Sequence, residues 1–444
     1  MVKFTFSATS ACLLSALLAS STVAAPSSDH GGEKDKGCSD KQILLPMRES
    51  THGASFNITL GTPPQTVTLL SDWTWQTTWV DTAHCKGIYS VSECIPKGQN
   101  FFDDVASSTF KSTPQYQGQT WQGTDYAPGI PFITWFGTDT LCFESDANGD
   151  KICMPNTEVS LSNFTNPLPV VFDIGGVFGF APVLNGYNAT FYPAPYQFMK
   201  KNLLNPVVGW HMCGAIKNAD TCCGEDYLTI MGGTDTSVYM PSTMQYHDLD
   251  ISPCVNSGTH LSLSPSRQNY WSTTWTGFFI GNKKFSLAAK DSPSYNSTTT
   301  SSSCDSIDPI AIWDQDKFGR GAPMPISAFN YLVGLTSAVK ISDTAAPFNA
   351  GTQGLYSIPC SKISSLPNIN YELSHKQNIS LVPNQYIDSE YMPGTCLLNV
   401  RTWDRPVDGA QTFFGLTVIS RTYLAFDYDR NVVGLAPLKE SLYK

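Results

Sequence analysis

One pattern occurs twice in this chain and constrains its fold more than any other feature. An apolar run ends in Ser71-Asp72, and about a hundred residues later comes Val177-Phe178-Gly179. In the second half, Ile310-Ala311-Ile312-Trp313 leads into Asp314, and Phe413-Phe414-Gly415 follows at a similar distance. A duplicated unit of one aspartate after a strand and one apolar-apolar-glycine implies two lobes about a pseudo-two-fold axis, each giving one carboxylate. Two facing carboxylates cannot both ionise cheaply. They share a proton, so one can act as a base on water while the other acts as an acid on a carbonyl.

The remaining sequence reads as mostly β. Phe56-Asn57-Ile58-Thr59-Leu60 alternates, Gly61-Thr62-Pro63-Pro64 turns, and Val67-Thr68-Leu69-Leu70 resumes, which is a hairpin signal. A similar unit turns at Gly281-Asn282 before Phe285. Helical periodicity is confined to the neighbourhoods of Tyr196–Leu204 and Ile326–Val339. A chain of 444 residues exceeds one compact core. The expected division is a signal peptide over 1–25, a short polar leader or flexible arm over 26–50, and lobes over 51–236 and 237–444. The net charge of -10, with no cluster of the 27 Lys and Arg, argues against nucleic acid as a partner.

Lys3, the apolar run through Leu13, Leu14, Leu17 and Leu18, and the small residues Val23-Ala24-Ala25 have the order of a secretory signal. No later run is long and apolar enough to span a membrane, so a secreted, extracellular monomer is expected. Of 13 cysteines, Cys12 leaves with the signal peptide, and an even set in an exported chain implies disulfides. Short spacings suggest Cys85 with Cys94 and Cys142 with Cys153, and Cys360 with Cys396 closes a longer loop. The others stay unpaired at this level. Asn57, Asn163, Asn188, Asn296 and Asn378 are glycosylation sequons. No phosphate-binding glycine loop or metal-ligand cluster stands out, so no cofactor or metal is expected.

From Ser55 to Leu438 the chain resembles the pepsin family of aspartic peptidases, especially secreted fungal members. The resemblance is carried by Phe56 to Thr68, Thr77-Thr78-Trp79-Val80, Ser107-Ser108-Thr109-Phe110, Phe172 to Ala181, Met231-Gly232-Gly233-Thr234-Asp235, Cys360 to Pro367, and Tyr423 through Pro437. It implies a mostly β, two-lobed acid protease fold with a central cleft and a hairpin flap. It also implies that Asp72 and Asp314 are the catalytic positions, that Tyr126 is the flap tyrosine, and that Trp79 supports the flap.

The family builds each aspartate loop as Asp-Thr-Gly followed by Ser or Thr. The glycine permits the tight loop, the threonine braces the other lobe, and the next hydroxyl orients the carboxylate. Here the loops read Asp72-Trp73-Thr74-Trp75 and Asp314-Gln315-Asp316-Lys317. Replacement of each glycine, by Thr74 and Asp316, predicts a backbone strained by about 1–3 kcal/mol if the glycine conformation is kept. Trp73 and Trp75, with Tyr126, are expected to line or crowd the cleft, and Lys317 to bring an ammonium near the pair. The expected function is a pseudopeptidase holding a peptide, glycan or small-molecule ligand in its cleft. The alternatives are an enzyme repurposed to use the cleft carboxylates on a small molecule, as in secondary metabolism, and an atypical aspartic endopeptidase.

Overall fold

The computed structural model describes residues 42–50, 53–75, 77–82, 101–113, 119–122, 132–143, 151–162, 174–183, 192–213, 225–250, 260–261, 270–293, 295, 306–315, 321–342, 354–403 and 411–443. At 119–122, 132–135, 162, 260–261, 389, 391, 411 and 443 it describes the backbone only. The chain is mostly β and has the two-lobed pepsin-like fold. The expected hairpin joins Ala54–Leu60 to Gln65–Asp72, with Leu60 opposite Gln65. Its alternation places Phe56, Ile58, Val67 and Leu69 in the core and leaves Asn57 exposed. The second hairpin joins Ser272–Ile280 to Lys283–Phe285.

Each half carries the repeat as a parallel strand pair. Gln65–Asp72 runs beside Gly176–Gly179, with Ser71 opposite Phe178 and Asp72 opposite Gly179. Ile310–Trp313 runs beside Gln411–Phe414, with Trp313 opposite Phe414. Parallel strands buried on both faces read as continuous apolar runs, which is how Ile310–Trp313 looks in the sequence. Each aspartate therefore sits at or just beyond the end of a buried strand.

The halves are joined by a sheet whose order runs Gln245–Asp248, Val432–Pro437, Thr422–Asp427, Val207–Met212, Tyr227–Met231, Ile43–Glu49, and then into the first lobe. Two expectations change here. The end of the leader is not an arm: Ile43–Glu49 is a strand paired with Tyr227–Met231, with Ile43, Leu45 and Met47 buried. The alternation of Ile43, Leu45 and Met47 is what the sheet uses, and the charged residues around it obscure that signal. The helix expected over 326–339 stops at Thr336, because Ser337 takes the left-handed cap conformation, and Val339–Ser342 is already strand. The helix Ala194–Lys200 lies within its expected region.

Cys142 and Cys153 face each other across adjacent strands and are bonded, as are Cys360 and Cys396. Cys85 and Cys94 lie outside the described residues, as do Asn163, Asn188 and Asn296. Asn57 and Asn378 are both exposed on strands. Among the described residues no helix is long and apolar enough to cross a membrane.

Gly179 fixes how closely the first aspartate loop approaches its partner strand. A Cβ there would sit 2.4 Å from the Trp75 carbonyl oxygen and 2.6 Å from that of Thr77. Gly179→Ala should therefore destabilise the fold by about 1–3 kcal/mol, read as a lowered denaturant midpoint, because backbone rather than a pliable side chain must give way.

Candidate active site

The strand ends deliver Asp72 and Asp314 as buried side chains, 0% and 2% exposed. Main-chain bonds hold each loop. Phe180 N–H donates to the Asp72 carbonyl at 2.8 Å, and Ala181 N–H to the Trp75 carbonyl at 3.0 Å. In the other lobe, Asp314 N–H donates to the Phe414 carbonyl at 3.2 Å.

Around Asp72 the polar shell is rebuilt rather than absent. Thr74 donates its backbone N–H and its hydroxyl to Asp72 Oδ1, each at 2.7 Å. Both bonds are buried, and donors on a carboxylate oxygen favour its charged form. Thr74 does this without the expected strain. The described non-glycine residues with positive φ are Asn156, Asn202, Ser337, His375, Lys376 and Asn431, and Thr74 is not among them. The loop thus accepts a side chain where the family has glycine.

The two lobes also meet through side chains. Gln315, fully buried, donates from Nε2 to Ser71 Oγ, so the residue after Asp314 reaches the residue before Asp72. The resemblance puts bracing threonines at positions 73 and 315. The brace is here a single amide from one side.

Trp73 takes the other bracing position and is 0% exposed. Its ring packs edge-on against Trp210 at 4.9 Å and Phe426 at 4.8 Å. It belongs to the core between the lobes rather than to a cleft wall, because an indole on this side of the loop gains more from apolar neighbours than from solvent. Trp75 is also buried, 6.2 Å from the Trp79 ring, so neither indole offers an open surface. Asp316, Lys317 and Tyr126 lie outside the described residues. The strands Gln119–Gln122 and Phe132–Phe143, which flank Tyr126 in the sequence, pair antiparallel.

Thr74, Gln315 and Ser71 carry roles that the sequence did not assign. The available signal was modest: Thr74 is the one hydroxyl within Asp72-Trp73-Thr74-Trp75, and Gln315 the one neutral polar residue beside Asp314. Asp81 was also missed. It is 1% exposed, and burial pushes its carboxyl well above the usual carboxylate range.

A family model described as eukaryotic aspartyl protease matches residues 55–438. The chain belongs to that family. It is 34% identical over 445 residues to a secreted aspartic protease, LUC8, of a Fusarium species, covering 96% of this chain and 98% of the relative. It is 30% identical over 407 residues to the aspartic protease-like protein pynH of Aspergillus niger, covering 89% and 92%. Mouse gastricsin is 26% identical over 387 residues, covering 86% and 79%.

A buried histidine and a half-buried glutamate in this scaffold respond to pH with opposite sign. Desolvation lowers His211 from its ordinary 6.5 to about 4, against a smaller opposing pull from Asp235. Its contribution to stability is present above pH 6.5 and is lost as pH falls through about 4. Burial raises Glu158 from 4.5 to about 7, partly countered by Lys201. Its contribution is full below pH 4.5 and is lost as pH rises through about 7. Thermal melts across pH should therefore peak between the two limbs, and Glu158→Gln should flatten the alkaline limb while sparing the acid one.

The lobe-to-lobe bond makes a separate prediction. In a cycle of Ser71→Ala, Gln315→Ala and the double variant, the coupling energy from denaturant melts should be about 0.5–1.5 kcal/mol.

Proposed function

We propose that this chain is a pseudopeptidase of the aspartyl protease family, one that has left ordinary polypeptide hydrolysis and holds a peptide, glycan or small-molecule ligand in its cleft. The replaced shell at Asp72 carries this reading. Thr74 spends both of its donors on one oxygen, and Trp73 and Trp75, on either side of it, have no hydroxyl to give. Water activation needs a proton shared between two matched carboxylates, and the donors at Asp72 are no longer those the family motif supplies. Catalysis of that kind is sensitive to small displacements, so a redrawn shell costs orders of magnitude in rate.

A second reading has its own support. The Gln315–Ser71 bond and the burial of both aspartates keep the two loops registered, as acid–base chemistry on a small molecule would require. Relatives described as aspartic protease-like are compatible with both. Export as a glycosylated, disulfide-bonded monomer fits the N-terminal apolar run, the bonded cysteines, and relatives named as secreted.

The test is proteolysis of a denatured protein mixture by the purified full chain, between about pH 2.5 and about pH 7, with and without a transition-state-mimicking aspartic peptidase inhibitor. No inhibitor-sensitive cleavage is expected from folded protein. Cleavage that disappears in Asp72→Asn would overturn the proposal and restore peptidase chemistry to the pair.

A further inference from the structure

The strand Gln245–Asp248 carries His247, whose two ring nitrogens are both bonded to one hairpin of the second half. His247 is fully buried and lies opposite Val433 in the sheet. The hairpin joins Ile369–Leu373 to Asn378–Leu381 through Ser374-His375-Lys376-Gln377. Leu373 N–H donates to the Gln377 carbonyl at 2.8 Å, and Gln377 N–H to the Ser374 carbonyl at 3.4 Å. His375 and Lys376, between them, both have a φ of 59°, in the left-handed region. Two such residues in succession make a turn that ordinarily carries Asn-Gly. The turn brings the side chains at its two ends, Ser374 and Gln377, onto the same imidazole.

These bonds fix where the histidine keeps its proton. Gln377 donates from Nε2 to the Leu435 carbonyl at 2.9 Å, so its Oε1 is the atom turned to His247 Nε2. The reverse amide orientation would set oxygen against oxygen. His247 Nε2 therefore carries the hydrogen and donates it, and Nδ1 is left as a lone pair. Ser374 Oγ donates to that Nδ1 at 2.6 Å. A hydroxyl aimed at a base whose far side is held by an acceptor is the arrangement that activates a serine. Burial is graded in the same sense. His247 and Gln377 are buried, whereas Ser374 keeps part of its surface in solvent, beside the exposed His375 and Lys376.

Burial pushes His247 below its ordinary 6.5; the Gln377 bond opposes this, His375, with its ring 5.5 Å away, adds to it, and Asp248 opposes it. The imidazole is thus a weak base, held neutral. Gln377 is an amide and does not steady an imidazolium as a carboxylate would. Such a site is matched to an ester whose leaving group departs readily.

The geometry points to a serine-type acyl-transfer site at this hairpin, with Ser374 as nucleophile, His247 as general base and Gln377 as positioning residue, acting on short acyl esters with acidic leaving groups. In the first step the Ser374 oxygen bonds to the acyl carbon and its proton passes to His247 Nδ1. The ester C–O bond breaks, and that proton goes to the leaving oxygen. In the second, water gives a proton to Nδ1 as its oxygen bonds to the acyl carbon. The Ser374 oxygen then leaves with that proton, and the free acid forms. Neither step uses Asp72 or Asp314, so the site stands or falls apart from the cleft.

A fluorophosphonate probe applied to the purified full chain reports the same attack: the Ser374 O–P bond forms, the P–F bond breaks, and fluoride and the proton depart. A digest should place the phosphonyl group on Ser374, at least about tenfold faster than on any other serine. A transition-state-mimicking aspartic peptidase inhibitor should leave that rate unchanged. Between about pH 5 and about pH 8 the rate in the unsubstituted chain should fall with acid. Its midpoint should lie below 6.5, because neutral His247 is the base. His247→Gln should slow labelling at least about tenfold, and Gln377→Glu should raise the midpoint by supplying a carboxylate. 4-Nitrophenyl acetate should give a burst of nitrophenolate that Ser374→Ala removes. Absence of label, label spread evenly over exposed serines, label blocked by the peptidase inhibitor, or a rate indifferent to pH would overturn the proposal. All four are read on the unsubstituted chain, so none depends on a variant folding.

Discussion

The placement of Trp73 between the lobes is the contact on which the site depends. Its ring meets Trp210 and Phe426, two strands of the shared sheet. Phe426 in turn stacks on Trp271 at 4.9 Å. A fully buried large side chain contributes on the order of 1.5–3 kcal/mol by removing apolar surface from water. The Asp72 loop is thus held by burial at the position where the family uses a hydroxyl. That substitution moves the polar work to neighbours: Thr74 orients the carboxylate, and Gln315 makes the tie between lobes.

The backbone beneath is secured independently of the loop chemistry. The Phe180 carbonyl accepts from Trp271 Nε1 and from the Tyr428 hydroxyl, each at 2.7 Å. Both donors come from the second half, and the acceptor follows the turn that carries Gly179. Phe180 N–H also holds the Asp72 carbonyl. One residue therefore links the first aspartate to the second half by main-chain and ring contacts, none of which uses a catalytic side chain. A scaffold arranged this way keeps its aspartates in place when the residues between them change.

The desolvated titratable groups His211 and Glu158 add a constraint of environment. His211 stacks on Tyr423 within the central sheet, and Glu158 lies where the helix Ala194–Lys200 meets the first lobe, its backbone bonded in both directions to Gln197. Desolvation dominates both, and it acts oppositely on a base and on an acid. Neither group needs to touch the cleft to make the stability of the fold depend on pH.

Much of this protein was legible in its sequence. The duplicated Asp and apolar-apolar-Gly pattern, the hairpins at Gly61 and Gly281, and the bonded pairs Cys142–Cys153 and Cys360–Cys396 follow from local rules of alternation, turn chemistry and spacing. So did the family, because its motifs keep their order along the chain. The sequence could not say which way a side chain would point. Trp73 read as a cleft residue because it adjoins Asp72, yet the sheet behind it offered an apolar pocket, and that pocket is built from residues more than a hundred positions away. Thr74 read as a source of strain because it replaces glycine, yet the loop relaxed into a conformation that threonine tolerates. The Ser71–Gln315 bond joins segments that nothing local connects. Local pattern determined the strands and the two carboxylates. Tertiary structure decided what surrounds them, because burial and hydrogen-bond partners depend on which distant segments arrive at the same place.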